Sequence, residues 1–585
     1  MKRPFSIYCT WSYHDELGDS VELTEKMCLT AMKTLRRWKE QFGVAYDYFM
    51  LDAFWFDMKR PYDMFKKPHW PNGFDRVRDE ALEMGMSPGL WYSVNSNKFK
   101  VPAWKGSLDG GESYSLSHGP YAAELEKAWR HAIENWHVRL FKLDFANFFC
   151  RAEADKTATM EVFHRNVEML HDILRRLRSE YPDLGVIAYN SFVRWGNWLN
   201  LPPGNALENG MDGSWLDVID YLYSGDPRPS DLPRTDLRRS IDAFQDHQVW
   251  LFHKGAKLPF DRIDDHGCMT GVTNTAFYQG AHGFRRGYVA NLARGGKRDI
   301  YYGDPTLIGD EDVRFIGKVR ELYYGAARSG LETQIVGPSG PNAGAGDEPG
   351  VAPWYGFLTG GGASGLLYLV NGSCTVQQAQ LTIPGARSTR VLFQDAGPTV
   401  AACANYDRLV VELAPEQVAL VGLGTYADAK FDLGQNTDQA QPRTMTLLPI
   451  TFTQSADDQW QGTFAGKLPR GAKLYVTAQV FGLGVGYHNH MGAGLPQRFG
   501  GQHTHNNHNM KPLTQELVNI TLKAGGKAVK PVKLVPDKPV WSGISWVGKM
   551  YDVASLAKAD KLEITVHQKL EQPKDVRILA YMVEL

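Results

Sequence analysis

The stretch WPNGFDRVRDEALEMGMSPGLWYSV, Trp70 to Val94, reads as a loop, an amphipathic helix and a strand, and FKLDFAN, Phe141 to Asn147, is a second short apolar strand further along. Between them Tyr121 to Asn135 carries a helical pattern. Strand, helix, strand is the repeating unit of a parallel sheet. Each strand also ends on a chemically useful residue, Trp91 on the first and Lys142 with Asp144 on the second. Side chains two apart share one face of a strand. A cation therefore stands beside a carboxylate that it would hold ionised at neutral pH, ready to act as a nucleophile.

The same alternation extends outward from this pair. Strand-length apolar runs occur at Phe5 to Trp11, Tyr46 to Leu51, Ser87 to Val94, Val138 to Asp144, Gly185 to Asn190, Val218 to Ser224 and Val249 to His253, with a weaker one near Asn274 to Tyr278. Helical patterns fall between them, at Glu22 to Phe42, Phe74 to Met86, Met160 to Glu180 and Asp236 to Gln245 among others. Eight strands alternating with helices over residues 1–330 predict a (β/α)8 TIM barrel. An open doubly wound sheet is the competing arrangement, but no GxGxxG follows the first strand.

After Gly330 the texture changes. GPSGPNAGAGDEPG, Gly337 to Gly350, is a Gly/Pro-rich linker or long loop, and helical periodicity almost disappears beyond it. SGLLYLVNG, STRVLFQ, RLVVELA and VALVGLG predict an antiparallel β-sandwich over 331–424. AKLYVTAQVF, QELVNITLKA, KLEITVHQ and VRILAYMVEL predict a second β-rich sandwich domain over 425–585.

With 585 residues and 43% hydrophobic content the chain can bury large cores. Its formal net charge of −1 gives no electrostatic case for nucleic acid or an anionic membrane, and a neutral ligand fits better. Cys9, Cys28, Cys150, Cys268, Cys374 and Cys403 are widely spaced without a CxxC pair, so neither a disulfide framework nor a zinc site is indicated. No run approaches the roughly 18 apolar residues of a membrane span. No apolar leader precedes the first strand. The expectation is a cytoplasmic protein, or a periplasmic or extracellular one whose leader has been removed.

In a barrel of this kind the site lies at the C-terminal ends of the strands. The residues found there are Trp11, Asp52, Trp91, Lys142, Asp144, Asn190 and the run YSGDPRPSD, Tyr223 to Asp231. Two carboxylates across the barrel mouth are what glycoside hydrolysis needs, one to attack the anomeric carbon and one to protonate the leaving oxygen. Asp144 and Asp226 are the natural pair. Gly225 frees the backbone to aim Asp226, and Pro227 fixes its loop, although Asp220 and Asp231 flank it. Asp52 either binds substrate or braces the barrel, and Trp11 and Trp91 either form platforms for a sugar face or pack the core.

In order, these features resemble the α-galactosidase clan, glycoside hydrolase families 27 and 36. The resemblance rests on Leu51-Asp52-Ala53-Phe54-Trp55, on Pro71 to Gly73 leading to Gly89-Leu90-Trp91, on Lys142 to Asp144, and on Ser224-Gly225-Asp226. It implies a retaining mechanism with Asp144 as nucleophile and Asp226 as acid/base, and a sugar subsite lined by Trp11, Asp52, Trp91, Lys142 and Asn190. The substrate implied is a terminal α-galactosyl-like sugar on an oligosaccharide or polysaccharide, with no metal or organic cofactor. The chain departs from the family at Ala53, where a second aspartate is usual, at Leu222, where an arginine is common, and at Tyr189-Asn190-Ser191. Losing an aspartate there points away from plain D-galactose, toward β-L-arabinopyranosyl or substituted galactosyl residues. A transglycosylase of the raffinose-synthase kind and a carbohydrate-binding protein without catalysis are the alternatives.

YHNHMGAGLPQRFGGQHTHNNHN, Tyr487 to Asn509, holds His488, His490, His503, His505 and His508. Paired HxH segments can ligate a transition metal. Without neighbouring carboxylates or cysteines, an exposed loop reaching over the barrel mouth of its own or a neighbouring subunit is the better reading, which leaves a homo-oligomer open.

Overall fold

The computed structural model describes residues 4–14, 22–60, 62–95, 101–109, 113–189, 192, 213–224, 230, 232–255, 257–270, 283–341, 349–350, 352–396, 400–405, 407–438, 440–480, 514–536, 545–552, 561–570 and 575–585. The chain divides into two compact units. One comprises Met1–Gly225, Leu251–Gly271 and Gly296–Gly317, and the other Asp226–Trp250, Val272–Gly295 and Lys318–Leu585.

The first unit is built on parallel strands β1 (Phe5–Cys9), β2 (Tyr48–Leu51), β3 (Ser87–Ser93), β4 (Leu140–Asp144), β5 (Gly185–Ala188), β6 (Tyr221–Tyr223), β7 (Ile263–Asp264), β8 (Cys268–Thr270) and β9 (Arg298–Gly303). In the sheet β1 to β7 follow one another in sequence order, β9 lies against β1, and β8 against β9. The two edge strands, β7 and β8, are separated in sequence by three residues, Asp265, His266 and Gly267. That length of chain spans at most about 14 Å. The chain itself therefore draws the edges together, and β7 and β8 are two halves of one broken strand in an eight-position (β/α)8 barrel. Sequential strand order also excludes the doubly wound sheet.

The break is built into the backbone. His266 and Gly267 both take left-handed conformations, with φ of 66° and 61°. A Cβ on Gly267 would lie 2.2 Å from the Ile300 carbonyl oxygen, so only glycine fits against β9 at this point.

Helices cover the sheet where the apolar spacing predicts them. Glu25–Phe42 buries Cys28, Ala31, Met32, Leu35 and Trp38 on one face; Thr24 caps its start and left-handed Gly43 its end. Thr159–Glu180 buries Val162, Phe163, Val167, Leu170, Ile173, Leu174 and Leu177, with Asn166 set among them. One strand expectation is corrected: Val249 to His253 belongs to the helix Leu237–Lys254. Its run VWLFH continues a helix already started, and a short apolar run does not by itself distinguish the two states. The seventh and eighth strand positions are instead Ile263 to Thr270 and Arg298–Gly303. The run at Asn274 to Tyr278 lies outside the described residues.

The second unit contains two antiparallel sandwiches. The first pairs a seven-stranded sheet, including Thr333–Gly337, Trp354–Gly361, Ser364–Asn371 and Val418–Gly424, with a three-stranded sheet of Gln377–Thr382, Arg408–Leu413 and Ala401–Asn405. Val336, Leu358, Leu367 and Leu369 meet Ala379, Leu381, Leu409 and Val411 in its core. Beyond Gly424, Gly434–Asn436 adds one more strand, parallel to Thr389–Asp395. The second sandwich packs two five-stranded sheets over a separate core, in which Leu474, Val476, Val547 and Ile578 face Ile520, Leu522, Ile564 and Val566. Within this unit the helical segments are bonded to the first sandwich through buried Arg286, which meets Asp242 at 3.0 Å and Asp395 at 2.5 Å.

Candidate active site

Strands β1 to β9 bring their C-terminal ends to one rim of the barrel, and the polar residues there form two linked groups. The first centres on Lys142. Its Nζ lies 2.7 Å from Asp52 Oδ2, and both side chains are buried. Asp52 also accepts from the Cys9 thiol at 3.2 Å and, on Oδ1, from the backbone N–H of Ala53 at 2.9 Å. The ammonium lies over the Tyr189 ring at 4.1 Å, with the Tyr302 and Trp11 rings at 5.4 and 5.7 Å. Burial alone would push this ammonium down, but the charge of Asp52 and its hydrogen bond, with the charge of Asp144, outweigh it and hold Lys142 above the ordinary lysine value. Lys142 is therefore a permanent cation, a donor with no role as a neutral base. Burial, then Asp52, pushes the Cys9 thiol well up, so it stays protonated and donates.

Alternation along β4 places Lys142 and Asp144 on one face, yet the lysine makes its ion pair two strands away, with Asp52 at the end of β2. Asp144 is oriented differently. Trp91 Nε1 donates to its Oδ2 at 3.2 Å, and the backbone N–H of Phe145 donates to its Oδ1 at 2.8 Å. Phe145 has a left-handed φ of 48°, which turns the chain sharply after the strand. Each carboxylate oxygen thus has a neutral donor fixing it. The Trp91 ring is 1% exposed, lies parallel to Phe56 at 6.2 Å and meets the edges of Phe54 and Phe145. Its contribution at the rim is the indole N–H. Trp11, half-buried, packs on His266 at 5.1 Å.

Two buried asparagines fix the loop after Asp144. Asn95 Nδ2 donates to the carbonyls of Tyr114 and Asn147 at 2.8 Å each, and its Oδ1 accepts from Asn147 N at 2.7 Å. Asn166 accepts from the N–H groups of Leu116 and Ser117 and donates to the carbonyls of Phe148 and Cys150, all within 2.9 Å. The loops after β3 and β4 are thereby joined by side chains that saturate backbone groups, which stiffens the mount of Asp144.

The second group sits at the broken strand. Arg298 Nη2 meets Asp264 Oδ1 at 2.7 Å and Asp265 Oδ1 at 2.8 Å. Tyr189 donates to Asp264 Oδ2 at 2.8 Å and lies 2.5 Å from the Tyr302 hydroxyl. His266 Nδ1 is 2.9 Å from the Tyr223 hydroxyl. Burial, followed by the charges of Lys142 and Arg298, drives the His266 imidazole well below its ordinary value. His266 is therefore neutral in the folded protein. The unfolded chain takes up the proton first as pH falls, so stability is full above about pH 6.5 and declines below it by roughly 1.4 kcal/mol per pH unit. Thermal melts between pH 7.5 and 5 are expected to show this slope in the wild type and a shallower one in His266→Gln. Equal slopes in the two proteins would remove His266 as its source.

The sequence missed Tyr189, Tyr302, Asp264, Asp265 and His266 as members of this rim. The signal available was RIDDHG, Arg262 to Gly267, a short strand start followed by acidic residues, histidine and glycine. Asp226, Asp231, Asn190 and the histidines of the 487–509 loop lie outside the described residues. Among the described residues no group of three or more His, Cys, Asp or Glu side chains is arranged to hold a metal ion.

No protein-family model matches the sequence, and no curated protein matches it either. Among solved structures the chain is similar to a family 36 α-galactosidase from Geobacillus stearothermophilus in complex with raffinose, at 12% identity and a TM-score of 0.48, covering 72% of this chain and 56% of that one. It is similar to the α-galactosidase from Lactobacillus brevis at 12% identity and a TM-score of 0.48, covering 72% and 55%. It is also similar to α-galactosidase I from Mortierella vinacea at 13% identity and a TM-score of 0.43, covering 73% and 98%. The chain thus spans just over half the length of the two bacterial enzymes.

Proposed function

We propose that this chain is a retaining, exo-acting glycoside hydrolase of the α-galactosidase-like type, acting on terminal α-galactosyl-like sugars of oligosaccharides or polysaccharides. The observation that carries the reading is Asp144. It is a carboxylate at the C-terminal end of β4, oriented by N–H donors from Trp91 and Phe145 and set beside the buried Lys142–Asp52 pair. In the first step an Asp144 oxygen bonds to the anomeric carbon as the bond to the leaving oxygen breaks, and Asp226 gives that oxygen its proton. In the second, Asp226 takes a proton from water, the water oxygen bonds to the anomeric carbon, and the ester to Asp144 breaks. Lys142, Asp52, Trp11, Trp91 and Asn190 form the sugar subsite. The role of Asp226 rests on its place after Ser224-Gly225, and that of Asn190 on its place after β5.

Preference within the class follows from Ala53. Its methyl group is buried directly after Asp52, where a second carboxylate would grip a sugar hydroxyl. A hydroxymethyl group presented there lacks its charged acceptor, whereas a pyranose without that group needs none. A p-nitrophenyl glycoside panel is expected to favour β-L-arabinopyranoside, or a substituted galactoside, over plain α-D-galactoside by roughly ten- to several-hundred-fold in kcat/KM. High efficiency on plain α-D-galactoside, with no gain from Ala53→Asp, would reject this subsite argument. Inactivity on the whole panel would reject the hydrolase.

A further inference from the structure

Phe145 is an open apolar ring next to the carboxylate. It is 37% exposed, while Trp91 beside it is 1% exposed. It is also rigidly mounted: its own N–H is bonded to Asp144 Oδ1, and its ring meets Trp91 at 5.7 Å, edge to face. Trp91 in turn is bonded to the other oxygen of Asp144. Ring and carboxylate are thus fixed to shared neighbours, and the loop behind them is stapled by Asn95 and Asn166. A left-handed backbone at a phenylalanine is uncommon, and here it directs the ring outward at the rim instead of into the core.

The chemistry of this position separates it from the sugar subsite. Hydroxyls of the sugar being cleaved need polar partners, which Lys142 and Asp52 supply; Phe145 offers only an apolar face. It is the first residue after β4, and it is open to solvent where Asp144 is buried. In an exo-acting site the terminal sugar enters first and the leaving group stays on the solvent side. We infer that Phe145 is the platform on which the leaving group stacks, and that it selects glycosides whose leaving group has a flat apolar face. Either the C–H face of a second sugar or an aryl aglycone meets that requirement. The inference rests on the hydrolase reading.

The test compares three substrates sharing one terminal sugar: the glycosyl fluoride, which has no ring to stack, the phenyl glycoside and a disaccharide. For Phe145→Ala the ratio of kcat/KM on the phenyl glycoside or the disaccharide to that on the fluoride is expected to fall roughly five- to tenfold, mainly through KM. Phe145→Tyr, which keeps the ring, is expected to restore the ratio. A fall for the phenyl glycoside alone identifies an aryl leaving group, and for the disaccharide alone a sugar. Unchanged ratios for both overturn the platform, because a change confined to Asp144 acts on all three substrates together. If the wild type turns over none of them, the hydrolase reading falls. Calorimetry with the phenyl glycoside still decides the platform in that case, since equal affinity of wild type and Phe145→Ala overturns it.

Discussion

Asp144→Gly is expected to leave the barrel folded and to lower kcat by roughly 10^4- to 10^6-fold, the scale seen when a nucleophile is removed. The fold should survive because the carboxylate is replaced by space, with no charge left buried. The Trp91 Nε1–H and the Phe145 N–H lose their acceptor, and entering water can satisfy both. The space left by the carboxylate also makes the prediction specific. A small external nucleophile such as azide, presented with an activated glycoside, should enter from the same face and restore turnover, giving a glycosyl azide of inverted configuration. Circular dichroism matching the wild type, together with azide rescue, is the expected pair of observations. Substantial residual activity without azide would take the nucleophile away from Asp144.

Lys142→Met is expected to be the most destabilising single change at the rim, by about 3–5 kcal/mol in the unfolding transition of the barrel. Its side chain and that of Asp52 are 4% and 2% exposed, and their 2.7 Å contact compensates two charges held away from water. Removing one partner leaves a buried carboxylate with, among the described residues, the Cys9 thiol and the Ala53 N–H to solvate it. Removing both should be milder, so Lys142→Met combined with Asp52→Asn is expected to recover part of the loss. Additive losses in the double variant would show that the two groups are not coupled. The pair also sets a pH limit. Because the folded protein holds the Lys142 ammonium above its ordinary value, its stabilisation is fully present below about pH 10.4 and is lost only as pH climbs beyond that range.

The first six strand positions were legible because each is a short apolar run bounded by polar turns and followed by a helix of clear periodicity. The end of the barrel was not. VWLFH has the composition of a buried strand but continues the helix Leu237–Lys254, and five residues are too few to show a 3.6-residue period. The true seventh strand carries Asp264, Asp265 and His266 through its middle, and charged residues there hide a strand from any reading based on hydrophobicity. Those charges are tolerated only because Arg298 arrives from β9 to meet them, a partnership between residues 33 and 34 positions apart that no local pattern reveals.

The same contrast runs through the site. Lys142 and Asp144 were readable as one face of one strand. That the lysine reaches across to Asp52, 90 positions away, and leaves Asp144 to Trp91 and Phe145 depends on the curvature of the closed sheet. Asn166 lies buried with His171 among the apolar residues of the helix Thr159–Glu180, and nothing in the local sequence tells which loop it serves.

The central claim is that a glycosyl group becomes bonded to Asp144 during turnover, and covalent trapping tests it most directly. A 5-fluoro glycosyl fluoride destabilises the oxocarbenium-like transition states of both steps while its fluoride leaving group keeps formation of such an ester fast, so the adduct accumulates. Peptide mapping by mass spectrometry of the inactivated wild-type protein should find one sugar on the peptide containing Phe141 to Asn147, localised to Asp144, and none in Asp144→Asn. A label on another carboxylate, or steady turnover that releases the product of inverted configuration with no label at all, would contradict the account.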